Sequence, residues 1–200
     1  MRRSPDPEQR QRDPERSKQQ LLDAAIAEFS AHGFRGARVS AIAARAGVNK
    51  QLISYYFGGK EGLYRAVADR WRAGEPAVTA PERPLAELVG AYAVAALEQP
   101  ELLRLLVREG LEHDAGTPDQ QEQFARFHVM LDDFRRRKVD GELAADLDPR
   151  YAALALFGLA AAPAVFPQIA RALDLDVGNA DFATEYAHQA TTLVAHLAQG

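Results

Sequence analysis

Cysteine is absent from this 200-residue chain. That removes disulfides, thiolate zinc sites and a cysteine nucleophile from consideration. Stretches that alternate apolar and polar residues as a strand would are missing too, as are internal repeats and any glycine-rich phosphate loop. No apolar stretch follows the charged, proline-broken start Met1-Arg2-Arg3-Ser4-Pro5-Asp6-Pro7, so no secretory signal is expected and a cytoplasmic protein fits best. The nearest approach to a membrane span is the stretch without charge between Arg150 and Arg171. It is mostly alanine, carries Pro163, Pro167 and Gln168, and lacks a dense Leu/Ile/Val block. It reads as a helix buried against other helices rather than in a bilayer.

What is present is ordinary in bulk and uneven in distribution. The chain is 47% apolar and 26% charged, values of a soluble globular protein. Its net charge of −4 hides an asymmetry: residues 1–74 hold 14 Lys/Arg against 8 Asp/Glu, and residues 75–200 hold 10 against 20. A basic third joined to an acidic remainder is the pattern of a protein that meets a polyanion with one part only.

Residues 1–15 are polar, without apolar periodicity, and are expected to form a disordered basic arm. Order is expected from Ser17-Lys18-Gln19-Gln20, which has the form of a capping box. Leu22, Ala25, Ile26 and Phe29 then recur at helical spacing, and Gly33 is placed to end that helix with Phe34 folding back on it. Later stripes are helical as well: Leu63, Val67 and Trp71, closed by Gly74 and Pro76; Leu85, Leu88, Val89 and Tyr92; Leu102 to Val107; Phe124, Phe127, Leu131 and Phe134; a helix opened by Asp148-Pro149; and Phe182, Tyr186, Leu193 and Leu197. The expected fold is all-α. A three-helix helix-turn-helix domain over 16–74 precedes a larger helical domain over 75–200, to which the family resemblance given below assigns effector binding and dimerisation.

The segment that carries function is 39–57. Val39 to Ala46 reads as a short helix with Val39, Ile42, Ala43 and Ala46 inward. Gly47 supplies the positive φ of a sharp turn. Val48 plugs the corner, Asn49 caps a second helix, and Ile53 with Tyr56 or Phe57 packs that helix back. Lys50, Gln51, Ser54 and Tyr55 are left on the outer face, where a helix-turn-helix meets the major groove. Gln51 can pair with adenine, Lys50 can reach guanine or a phosphate, and Leu52 can touch a thymine methyl. Tyr55 and Tyr56 have hydroxyls that reach phosphates. Lys60 opens the next helix, an end that disfavours cations; a DNA phosphate beside it would resolve the conflict.

Residues 17–72 resemble the N-terminal domain of the TetR family of transcriptional regulators. The resemblance rests on His32-Gly33-Phe34, on Ile42-Ala43-Ala44-Arg45-Ala46-Gly47-Val48, and on Tyr55-Tyr56-Phe57-Gly58-Gly59-Lys60-Glu61-Gly62-Leu63-Tyr64. It implies a DNA-contacting set of Arg38, Val39, Ser40, Asn49, Lys50, Gln51, Leu52, Ser54, Tyr55, Tyr56 and Lys60. Arg38 stands where the family often has Thr, and Ser54 where it often has Tyr. A charge contact then replaces a hydroxyl contact at Arg38, and Tyr55 compensates for the shorter Ser54.

The resemblance also implies a homodimer through the last two long helices, 149–172 and 180–198, a palindromic operator, and repression relieved by a small-molecule effector. The residues singled out for the effector are Trp71, Tyr92, Arg108, His113, Phe127, Met130, Phe134 and Phe157, each with an ordinary core or surface role as its competing reading. The helix from Lys60 to Arg72 is the natural lever between the two activities. The rival function is an effector-independent or architectural DNA-binding protein, told apart by whether any small molecule releases bound DNA. A helical metal hydrolase is the remoter rival. Glu112-His113-Asp114 and Asp132-Asp133 lack further ligands at metal spacing, so neither metal nor cofactor is expected. The run Arg135-Arg136-Arg137-Lys138 reads as a solvated helix end favoured by the dipole.

Overall fold

The computed structural model describes residues 7–78, 80, 82–111 and 116–198. Among them there is no strand. The helices in order are α1 (Pro7–Gly36), α2 (Val39–Ala46), α3 (Gln51–Phe57), α4 (Lys60–Val78), α5 (Leu85–Glu98), α6 (Pro100–Leu111), α7 (Gln120–Val139), α8 (Pro149–Val165), α9 (Pro167–Ala172) and α10 (Phe182–Ala198). They divide into two compact units. One comprises Met1–Arg72 with Arg108–Asp119, the other Ala73–Val107 with Gln120–Gly200.

The first unit is built on α1. Leu21, Ala24, Ala25 and Phe29 of α1, Ile42 and Ala43 of α2, Ile53 of α3, and Leu63, Tyr64 and Val67 of α4 are all buried. Phe29 meets Tyr64 edge-on with ring centroids 5.0 Å apart, and Phe34 meets the same ring at 5.1 Å. Such pairs add about 0.5–1.5 kcal/mol beyond the area they bury. Phe34 reaches that position because Gly33 leaves the helical region (φ 67, ψ 175). The segment before α7 also belongs here, although the sequence reading put all of 75–200 in the second domain. The Arg65 guanidinium donates to the Pro118 carbonyl at 3.1 Å, and Arg72 lies 3.5 Å from the buried Asp119 carboxylate.

In the second unit, Leu85, Leu88, Val89 and Ala93 of α5 pack with Phe134 of α7, Leu143 of the segment that follows it, Ala153 and Ala160 of α8, and Ala190 and Val194 of α10. A smaller cluster joins Leu103 of α6 to Ala161 and Ala164 of α8. Alanine is frequent because the helices pack closely. A Cβ added at Gly90 on α5 would run into Thr191 Oγ1 and approach the Ala187 carbonyl of α10.

Four expectations are corrected. Helix begins at Pro7, not Ser17: proline is tolerated in a first turn, and the Glu15–Lys18 pair at 2.8 Å braces the turn that contains Ser17. Ser17 therefore lies inside α1 and opens no capping box, and of the expected arm only residues 1–6 lie outside the described residues. α4 continues past Gly74 to Val78; Pro76 falls in its last turn, where only one intrahelical bond is forgone. The helix expected to be continuous over 149–172 divides at Phe166 (φ −120, ψ 54), because Pro167 disfavours helical backbone in the residue before it. Finally, Arg137 is not solvated: it is 1% exposed and bonds Asp133, Glu142 and the Arg83 carbonyl.

Candidate nucleic-acid interface

The reading element is built from local rules. α2 presents Ile42, Ala43 and Ala46 to the core. It stops at Gly47, whose φ of 67 is left-handed and which has open space around a hypothetical Cβ. The glycine is therefore required by conformation, not by crowding. Its N–H donates to the Ala44 carbonyl at 3.2 Å and that of Val48 to Ala43 at 3.1 Å, satisfying the end of α2. Asn49 Oδ1 then accepts the Gln51 N–H at 2.9 Å, the capping role expected of it. Ile53, fully buried, anchors α3 from below.

The opposite face of α3 is open. Lys50, Gln51, Ser54 and Tyr55 are exposed, Tyr55 by 80%. Leu52 and Tyr56 are half-buried. Tyr55 and Tyr56 stand edge-to-face at 5.0 Å, and the Lys18 ammonium sits 5.5 Å from the Tyr56 ring. Arg38, Ser40 and Asn49 are exposed around the same elements, with Val39 half-buried. Thus one turn and two short helices collect the eleven sequence-predicted DNA residues except Lys60, which lies at the start of α4.

Lys60 is more enclosed than a plain phosphate contact requires. Its ammonium donates to the Arg35 carbonyl at 3.2 Å and lies 5.0 Å from the Phe34 ring. Burial lowers its pKa from the ordinary lysine value, opposed by the charge of Glu28. α4 can start this close to α3 because residue 62 is glycine; a Cβ there would overlap the Phe57 carbonyl oxygen.

The residue that sequence reasoning missed is Glu28. It is buried, and its carboxylate accepts the Arg38 N–H at 3.1 Å. The signal was available: Leu21, Ala25, Glu28 and Phe29 share the inward stripe, and an acid on such a stripe needs a buried partner.

The residues proposed for an effector are divided between the two units. Trp71 and Arg108 belong to the first unit. In the second, Phe134 is core, with Tyr92 and Met130 packed against it. Phe127 and Phe157 meet edge-on at 6.0 Å. His113 lies outside the described residues. Among the described residues there is no group of three or more His, Asp or Glu able to hold a metal ion, and no helix long and apolar enough to cross a membrane.

A short helix, a left-handed glycine and a second helix with a polar outer face define a helix-turn-helix protein. The comparisons with known proteins agree. The signature of "Bacterial regulatory proteins, tetR family" matches residues 21–67. The chain is 36% identical over 184 residues to the HTH-type transcriptional repressor SCO4008 of Streptomyces coelicolor, covering 87% of this chain and 90% of that one. Its fold matches the crystal structure of SCO4942 from the same species with a TM-score of 0.71 at 28% identity, over 90% of this chain and 97% of that one. FadR from Bacillus subtilis, solved in complex with stearoyl-CoA, shares the fold at a TM-score of 0.60 and 17% identity, over 90% and 98% of the two chains. The chain belongs to the TetR family and is a DNA-binding transcriptional regulator.

Proposed function

We propose that the chain acts as a homodimeric repressor that reads a palindromic operator with Arg38, Val39, Ser40, the outer face of 49–56 and Lys60, and leaves DNA when a small molecule binds its second unit. The observation that carries this reading is the exposed polar face of α3 above a buried Ile53. Gln51 and Lys50 address base edges, while Tyr55, Tyr56 and Arg38 address phosphates. Repression accords with the name of the Streptomyces relative, "HTH-type transcriptional repressor".

Dimerisation is supported by the outer faces of α8 and α10. Tyr151 and Leu154 are 71% and 70% exposed, Gly158 lies on the same side of α8, and Leu193 of α10 is 48% exposed. Apolar surface of this kind is ordinarily covered. A symmetric dimer sets two reading helices about 34 Å apart for successive major grooves. For the effector, Phe127 and Phe157 with Met130 and Tyr92 offer half-buried apolar surface in the second unit. The same fold houses an acyl-CoA in the Bacillus regulator.

The test is a selection of genomic fragments by the purified chain, followed by footprinting. A protected inverted repeat, occupied by a dimer in light scattering, is the expected result. A Leu154→Asp variant is expected to shift toward monomer and lose the footprint. A monomer that footprints a single asymmetric half-site overturns the reading.

A further inference from the structure

The inward stripe of α1 runs Leu21, Ala24, Ala25, Glu28 and Phe29. Four are apolar and the other is a carboxylate, 5% exposed. A charge is taken this far from water only where partners replace its hydration. Glu28 has its partners at one corner. Oε1 accepts the Arg38 backbone N–H at 3.1 Å. Oε2 is 3.9 Å from His32 Nε2, one turn along α1. The Lys60 ammonium feels its charge and is itself fastened to the Arg35 carbonyl, in the last turn of the same helix.

Arg38 is the residue that opens α2, and its own side chain does not cap the helix. In a capping box, a Glu three residues into the helix accepts the N–H of the capping residue. Here that position is Ala41, which has no acceptor. Glu28 performs the task from another helix. The consequence reaches further than α2. α3 follows α2 directly across the Gly47 turn, and Ile42 of α2 and Ile53 of α3 are both fully buried, so what fixes the entry of α2 bears on the aim of the reading face.

We propose that Glu28 is a positioning residue for operator recognition, holding α2 and α3 at the angle to α1 at which the outer face of α3 meets base edges. This rests on the reading of α2 and α3 as the DNA-contacting helices. Glu28 touches no DNA in this scheme. Its loss disturbs base readout, which demands geometry, and spares phosphate attraction, which demands only charge.

The test uses the full chain, a labelled operator duplex from the fragment selection and a scrambled duplex of the same length, in fluorescence anisotropy at several salt concentrations. Glu28→Ala is expected to weaken operator binding about tenfold or more, the scale of one mismatched base contact. Affinity for the scrambled duplex and the salt slope are expected to stay unchanged. Glu28→Gln, whose amide oxygen still accepts the Arg38 N–H, is expected to bind the operator like wild type. Glu28→Ala with unchanged operator affinity overturns the proposal, and so does a reduced salt slope, which would mean a lost phosphate contact. Should Glu28→Ala not fold, Glu28→Gln decides by hydrogen exchange. Wild-type protection of the Arg38 amide together with wild-type affinity supports the proposal; lost affinity with that amide still protected overturns it. If wild type itself fails to tell the two duplexes apart, the assignment of α2 and α3 is what has failed.

Discussion

Removing the donors of Arg137 while keeping its bulk, as in Arg137→Met, is expected to destabilise the second unit severely without touching the DNA-reading residues. Arg137 is the largest fully buried side chain among the described residues. Its guanidinium spans three acceptors: Asp133 at 2.6 Å, Glu142 at 2.8 Å and the Arg83 carbonyl at 2.9 Å. Glu142 also accepts the Leu85 N–H at 2.7 Å, at the start of α5. The network therefore joins the end of α7 to the beginning of α5. Arg137→Met leaves Glu142 without its arginine and Asp133 with Arg136 alone. Breaking a buried pair from one side costs about 3–5 kcal/mol. Asp133 and Glu142 are each about a third exposed, and solvent screening brings the expectation to about 2–3 kcal/mol. The pKa of Asp133 points the same way. Burial pushes it up, but the hydrogen bonds and charges of Arg137 and Arg136 outweigh burial and hold it below the ordinary value. Stability from this group is thus present above the unfolded carboxylate pKa and is lost as pH falls through the depressed one. Urea unfolding at fixed protein concentration, at neutral and acidic pH, measures both. A loss under about 1 kcal/mol at neutral pH, with no narrowing of the gap to wild type in acid, would refute the reasoning.

Three further outcomes follow from the same structure. Gly62→Ala sets a Cβ against the Phe57 carbonyl oxygen, so α3 and α4 must part; operator binding is expected to fall at least tenfold, and unchanged binding in a gel shift would contradict the packing described. Gly90→Ala forces α5 away from Thr191 and Ala187 on α10 and is expected to cost about 1–3 kcal/mol in urea unfolding, the range of overpacked cores. Asp148 is held down to about 2, first by its side-chain hydrogen bond with Arg150 and then by the Arg150 N–H. Its capping contribution is expected to be full above about pH 4, near the unfolded carboxylate value, and to disappear as pH falls through 2, with Asp148→Asn flat over that window in thermal melts.

Helical periodicity and breakers were legible in the sequence because their causes are local. Gly33, Gly47, Asn49 and Asp148 act within one turn of themselves, and each does in the structure what its type and position predict. Where non-local partners decide, the sequence was silent or misleading. Arg137 reads as one of four surface cations until Glu142 and the Arg83 carbonyl are brought to it. Glu28 reads as one more acid of α1 until the Gly33 corner turns the Arg38 N–H toward it. The α4 surface that collects 116–119 through Arg65 and Arg72 joins residues some fifty positions apart. The outer face of α3 was readable for the opposite reason: it is defined by what does not pack.

The most direct test of the central claim, that the exposed face of α3 reads DNA sequence, is the operator affinity of Gln51→Ala against wild type, each measured beside a scrambled duplex. The Gln51 side chain is exposed, and the bond to Asn49 Oδ1 uses its backbone N–H, which alanine keeps, so the variant should fold unchanged. The account predicts a loss of about 1–3 kcal/mol on the operator, the discrimination of one bidentate base contact, and none on the scrambled duplex. Equal affinities of variant and wild type for the operator would contradict it.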